Sequence, residues 1–227
     1  METGTVKTAF IRAFMLVGFL IASVGTVRAD DLLVGEFSAE THPLVRDTPE
    51  PPSRQQIVTM LLSEARFAFS GMIYGFNFNY TPSDPVRQVK EVFDLTPIAE
   101  VPWGDPRLSV LSTRSTADLF FAQITYRPAD FQVFRLQGWQ SNSNDHASGS
   151  GSASYLLGTP GRAAAVNAAI KNAIREYVRA REYNRPREIR GSLALLDPPR
   201  IGVQRGDYFA EVRIALDIRA ILPYTVF

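Results

Sequence analysis

The chain of 227 residues contains no cysteine and only 2 histidines. Without thiols there is no disulfide framework, no thiolate metal site and no cysteine nucleophile. Two histidines, His42 and His146, do not make a His-rich metal centre, and neither has a second ligand near it in sequence. Charge of one sign is also lacking: 24 Lys+Arg balance 23 Asp+Glu. That is not the basic excess of a nucleic-acid binder, so no nucleic-acid partner is expected. The G-x-S-x-G, H-E-x-x-H, P-loop and G-x-G-x-x-G patterns are absent, and the carboxylates are scattered. Neither a catalytic residue, nor a metal ligand, nor a cofactor site follows from the sequence, and the expectation is a protein that is not an enzyme. A carboxylate-dependent hydrolase built on Asp105 and Asp197 is the least favoured alternative.

What is present begins with an address. Lys7 and Arg12 precede fifteen uncharged residues, Ala13–Val27, which end in Val27-Arg28-Ala29 before Asp30-Asp31. This is the pattern of a secretory signal peptide over residues 1–29, cleaved after Ala29. The apolar run is shorter than the roughly 20 residues of a spanning helix. Cleavage would remove Lys7, Arg12 and Arg28 together with Glu2, taking the net charge from +1 to −1. The expected product is periplasmic or secreted and not an integral membrane protein. A terminal β-barrel strand is not expected either, because the alternate positions back from Phe227 include Pro223 and Arg219.

Residues 30–53 hold a short strand-like run, Leu32–Phe37, and then four prolines, and read as an arm or linker. Ser53 caps a helix whose face carries Ile57, Leu61, Ala65 and Ala68, with Gly71 as its stop. The next run, Met72–Tyr80, alternates with Tyr74, Phe76, Phe78 and Tyr80 on one face of a strand. Such a row supplies core area first and a sugar-stacking platform second. Pro85 opens an expected short helix over Asp84–Asp94. Strands follow at Ile98–Trp103, Arg107–Ser112 and Ala117–Tyr126, with a strand-like run at Phe131–Trp139. Residues 140–161, rich in Ser and Gly, have the composition of a flexible loop.

Near Gly161 a second helix begins, with Val166, Ile170, Ala173, Ile174 and Tyr177 on one face. Strands at Glu188–Leu196 and Arg200–Gln204 precede the final one, in which Tyr208, Ala210, Val212, Ile214, Leu216 and Ile218 alternate with charged residues. Asp105-Pro-Arg-Leu-Ser-Val110 resembles Asp197-Pro-Pro-Arg-Ile-Gly-Val203, and Asp118-Leu-Phe-Phe-Ala resembles Asp207-Tyr-Phe-Ala. The expected fold is therefore α+β: two related α-β-β-β units, 54–139 and 162–227, joined by the loop 140–161. Antiparallel sheets would carry helices on one face.

The helix Ala163–Arg181 and the strands ending in Asp207-Tyr-Phe-Ala-Glu-Val-Arg-Ile-Ala-Leu216 resemble the small α+β module of flagellar T-ring proteins and related envelope lipoproteins. The resemblance covers about 60 residues and implies an exported, non-enzymatic envelope protein; the lipidated Cys of many such proteins is missing here. Gly71-Met-Ile-Tyr-Gly75 and Gly104-Asp-Pro-Arg-Leu108 are similar to segments of uncharacterised exported proteins of spirochaetes. Candidate binding residues are the aromatics Tyr74, Phe76, Tyr80, Trp103 and Trp139, and Arg175 and Arg179 of the basic cluster Arg175–Arg190. The expected function is a structural or binding component of the envelope docking to another envelope protein or polymer. A periplasmic ligand- or glycan-binding module using the aromatics is the alternative.

Overall fold

A computed structural model describes residues 32–45, 50–141 and 143–224. The leader expected over 1–29 and the terminal Phe227 lie outside the described residues.

Helix α1 (Arg54–Ile73) starts where the sequence places it. Ser53 Oγ accepts from the Gln56 amide at 3.3 Å, and Gln56 Oε1 accepts from the Ser53 amide at 2.7 Å, a complete capping box. The helix does not stop at Gly71. A Cβ there would sit 2.5 Å from the Phe76 ring and 2.9 Å from Leu195, so Gly71 serves close packing inside the helix. The chain turns instead at Gly75, whose φ of +76° and 2.4 Å approach to Leu193 O admit no side chain.

Strands β2 (Phe76–Thr81) and β3 (Val92–Pro97) form an antiparallel hairpin. The helix expected over Asp84–Asp94 is not formed. Asp84 Oδ1 accepts from the Val86 and Arg87 amides, and Asp84 and Val89 exchange backbone hydrogen bonds at 2.9 Å. An aspartate that satisfies the turn amides closes a tight loop, and Val86 is left 91% exposed with nothing to cover an apolar stripe. The strand expected at Ile98–Trp103 is likewise a loop, in which Val101 is buried and its amide donates to Ser70 Oγ at 2.9 Å.

Strand β1 (Leu33–Glu40), in the expected arm, pairs with β5 (Leu119–Tyr126), which pairs with β4 (Leu108–Ser115); the sheet order is β1-β5-β4. The segment expected as a strand over Phe131–Trp139 is helix α2 (Asp130–Gln140). Its inward positions are Gln132 and Leu136, four apart, whereas Phe131 and Phe134 face solvent. One of the two buried residues is polar and two exposed ones are aromatic, so the apolar pattern misleads.

The expected Ser/Gly loop is also ordered. Residues Asp145–Ser154 form β6, paired with β9 (Asp207–Leu222) along its whole length. Ala147, Gly149, Gly151 and Ala153 alternate with His146, Ser148, Ser150 and Ser152, a period-2 strand of mostly very small residues. Their inward face receives helix α3 (Thr159–Arg179) through Ala168, Ala169 and Ala173. Strands β7 (Glu188–Leu195) and β8 (Arg200–Gln204) complete a sheet of order β3-β2-β7-β9-β6, with β8 on β9.

The fold is α+β with antiparallel sheets. The strands of residues 54–139 are divided between the two sheets: β2 and β3 join β7, while β4 and β5 pair with β1. The Asp105-Pro and Asp197-Pro segments each precede the first strand of a hairpin, β4–β5 and β8–β9. Helix α1 packs against β1 and β5 of the small sheet and β7 of the large one, with Phe69 stacked on Tyr126 and edge-on to Phe37. Among the described residues no helix is long and apolar enough to cross a membrane.

Candidate binding cleft beside helix α3

The last two turns of α3 present Arg175 and Arg179 to solvent while Val178 and Ile174 turn inward. Beyond the helix the chain doubles back through Tyr183-Asn-Arg-Pro186, whose buried proline precedes β7. A cavity of about 440 Å³ lies between this return, the end of β2 and the start of β3. Tyr80 and Ile189 form its apolar floor, and Arg175, Arg179 and Arg185 stand at its edge.

Its electrostatics are layered. Tyr80 is fully buried and its hydroxyl donates to Glu91 Oε1 at 2.8 Å. Burial first, and then this bond, push the hydroxyl upward, so Tyr80 stays neutral. Burial also raises Glu91, but the hydrogen bonds from Lys171 and Tyr80 outweigh it and hold the carboxyl below its ordinary range. Glu91 is thus committed to Tyr80 and Lys171. At the rim, Arg179 is paired with Glu176 at 2.6 Å, and Arg175 is only 3.5 Å from the same carboxylate. Arg185 donates from its guanidinium to the Ser83 carbonyl at 2.6 Å, which anchors the head group and keeps its charge. Three guanidinium groups therefore edge a depression whose lining carboxylates, among the described residues, are Glu91 and Glu182. Such an edge suits a carboxylate, sulfate or phosphate group on a partner.

Three expected site residues, Tyr80, Arg175 and Arg179, meet here, with Tyr80 as buried floor. The others do not. Phe76 and Phe78 are core residues, so the aromatic face of β2 offers no stacking platform. Trp139 lies on α2, its ring 3.0 Å from the Cβ position of Gly75. Trp103 is 58% exposed and lines a separate cavity of about 920 Å³ with Val45, Met60 and Leu157.

Tyr74 sits in a polar cluster that sequence reasoning missed. Its hydroxyl accepts from Gln132 Nε2 at 2.7 Å, and Gln132 also bonds Tyr126 and Arg107. Arg107 grips both oxygens of Asp105, at 3.0 and 2.7 Å, and Tyr126 donates to Asp105 at 3.2 Å. The Arg107 hydrogen bonds outweigh burial and take Asp105 from 3.8 down to about 2. A carboxyl depressed in the folded state contributes stability above its unfolded value and loses it as pH falls through the folded one. Between pH 4 and 2, Asp105→Asn is expected to flatten the fall in unfolding free energy, measured by urea titration at each pH. Asp197, by contrast, is half exposed and paired with Arg213 at 2.9 Å in the other hairpin. Each aspartate is taken by its own arginine.

A second missed feature is the buried Arg162. It occupies the apolar face of α3, four residues before Val166, and that misplaced charge was the available signal. Its guanidinium is bidentate to Glu64 at 2.6 and 3.0 Å, donates to the Ser38 carbonyl at 2.7 Å and lies 3.8 Å from Glu40.

A sequence-family model matches residues 26–224. The chain belongs to that family. The matched span holds every strand and helix just described, including the cleft and both polar clusters. The chain is also similar to an uncharacterised protein of the spirochaete Treponema pallidum (strain Nichols), 28% identical over 180 residues, which cover 79% of this chain and 73% of that protein. No solved structure matches.

Proposed function

We propose that this protein is an exported, non-catalytic binding component of the cell envelope that docks to an anionic face of another envelope protein or polymer. The observation that carries the reading is the cleft edged by Arg175, Arg179 and Arg185. Charge arranged around a concave, partly apolar floor steers and orients a partner of opposite sign. The leader over 1–29 supplies the export that the reading requires, and fractionation should recover a mature chain beginning at Asp30. The T-ring-like character of 163–181 and 207–216 makes the flagellar basal body the first assembly to examine.

The test is site-specific crosslinking in intact cells. A photoreactive residue replacing the fully exposed Tyr183 is expected to give a discrete adduct. Arg175→Glu with Arg179→Glu should reduce its yield about tenfold, because reversed rim charges repel what the native ones attract. Undiminished crosslinking in the charge-reversed protein, or no adduct at all, would overturn the reading.

The exposure of Trp103 over its own cavity favours a second reading, a ligand- or glycan-binding module. A glycan that quenches tryptophan fluorescence in the native protein and not in Trp103→Phe would establish it. A screen without any response removes it.

A further inference from the structure

A pocket distinct from the cationic cleft opens between the middle of α1 and the first turns of α3. Its volume is about 330 Å³. Phe37, Phe67, Phe76, Val166 and Ile201 give it apolar walls, contributed by both sheets and both long helices. This size is at the small end of ligand cavities, roughly 300–1,000 Å³, and suits one slender chain better than a ring system or a two-chain lipid.

Arg66 is the basic residue in this lining, and half of its guanidinium is unused. Nη1 lies 3.0 Å from Glu100 and donates to the Val101 carbonyl at 3.4 Å. On the other edge, Nε–H is buried without a hydrogen-bond partner among the described residues, and Nη2 makes no hydrogen bond there either. Glu100 is half exposed, and such a surface pair contributes little. A buried N–H without an acceptor costs more than that pair returns. Stability therefore does not account for Arg66, and a buried donor of this kind calls for an acceptor. The lining carboxylate Glu64 is not that acceptor, because Arg162 holds both its oxygens, at 2.6 and 3.0 Å. The Nε–Nη2 edge of a guanidinium is a rigid fork that matches the two oxygens of a carboxylate. A hydroxyl head offers a single neutral oxygen to the same fork, and an ammonium head is repelled by it.

We infer that this pocket binds a single-chain alkyl carboxylate, its chain between the phenylalanine walls and its head on the Nε–Nη2 edge of Arg66. Nε becomes reachable by a side-chain shift of Arg66 or Phe67, which are 28% and 36% exposed. The site does not rest on the cationic cleft, and its test is separate from the crosslinking experiment.

Isothermal titration with decanoate at neutral pH, below its aggregation concentration, is the direct measurement. A dissociation constant of roughly 100 μM or tighter is expected, within the efficiency that small ligands reach. Decanol and decylamine, with the same chain, should bind at least about tenfold more weakly, and acetate, with the same head and no chain, should give no heat. Arg66→Met should weaken decanoate binding at least about tenfold while its melting temperature stays level or rises, since the variant removes a buried unpaired donor. Arg66→Lys keeps the charge and loses the fork, and should fall between the two. Arg175→Glu with Arg179→Glu should bind decanoate as the native protein does, which separates this site from the cleft. No heat with decanoate, equal binding of decanol, or undiminished binding by Arg66→Met overturns the proposal. So does loss of binding in the cleft variant alone. Cosedimentation with phosphatidylglycerol vesicles without binding of free decanoate overturns it as well, because the anion would then be a bilayer surface.

Discussion

Arg162→Met is expected to lower the unfolding free energy by about 3–5 kcal/mol, the cost of removing one partner from a buried ion pair. The side chain of Arg162 is only 5% exposed, and those of Glu64 and Glu40 are 19% and 16% exposed. Methionine fills a similar volume, so a cavity contributes little. The loss is electrostatic: two half-buried carboxylates keep their charge without a counter-ion, and the Ser38 carbonyl loses its donor. This argument makes a second demand. Glu64→Leu added to Arg162→Met should recover part of the loss, because replacing a whole buried pair by apolar groups is often neutral. Urea unfolding of the two variants and the native protein measures both effects. A single variant within about 1 kcal/mol of native, the size of an ordinary surface change, would mean that water already solvates the pair.

The second large effect concerns β6. Gly151→Val puts a good strand former into a strand, and by propensity alone it would stabilise. The tertiary structure reverses the sign. A Cβ at 151 would lie 2.3 Å from Ala169 N, 2.6 Å from Ala168 C and 2.7 Å from Ala168 Cβ. Two of these are helix backbone atoms, which no rotamer change can move. Helix α3 would have to lift from the sheet, and the expected loss is at or beyond the upper end of the roughly 1–3 kcal/mol typical of overpacking. Gly202 in β8 is the matched control, since nothing lies within 4 Å of its Cβ position. Gly202→Val should be neutral to slightly stabilising by thermal unfolding. Equal melting temperatures for the two valine variants would show that α3 does not approach β6 as closely as described.

The two long helices were legible because their information is local. The Ser53 box, the 57-61-65-68 face of α1 and the apolar stripe of α3 all lie within a few turns of one another. Strand β9 was legible for the same reason, with its charged residues pointing outward. Three of the segments that differ from expectation show how a partner outside the local pattern decides the structure. Gln132 makes α2 a helix by bonding Tyr74, Tyr126 and Arg107, residues far from it in sequence or on another element. The Ser/Gly segment is a strand because α3 and β9 close on both sides of it. Asp84 converts an expected helix start into a turn, and Val89 completes that turn from across the loop.

The candidate cleft was half legible. Arg175 and Arg179 stood out as a basic helix end, but Tyr80 was chosen for an aromatic row that is core, and Glu91 was not chosen at all. Two sequence-distant segments, 80–91 and 175–189, meet at the cleft, and no spacing within either announces the other.

The absence of cysteine and the balance of charge, taken alone, determined that stability rests on packing and that no thiol or His-rich chemistry is available. Helix caps, amphipathic stripes and strand alternation determined the α+β class. The tertiary structure decided which strands share a sheet, that β2 crosses to β7, and that a buried arginine joins α3 to α1. It also decided that the smallest side chains in the molecule are where a helix comes closest. The physical reason is one of range. Capping and periodicity act over a few residues, whereas sheet pairing, close packing and the neutralisation of a buried charge depend on atoms that only folding brings together.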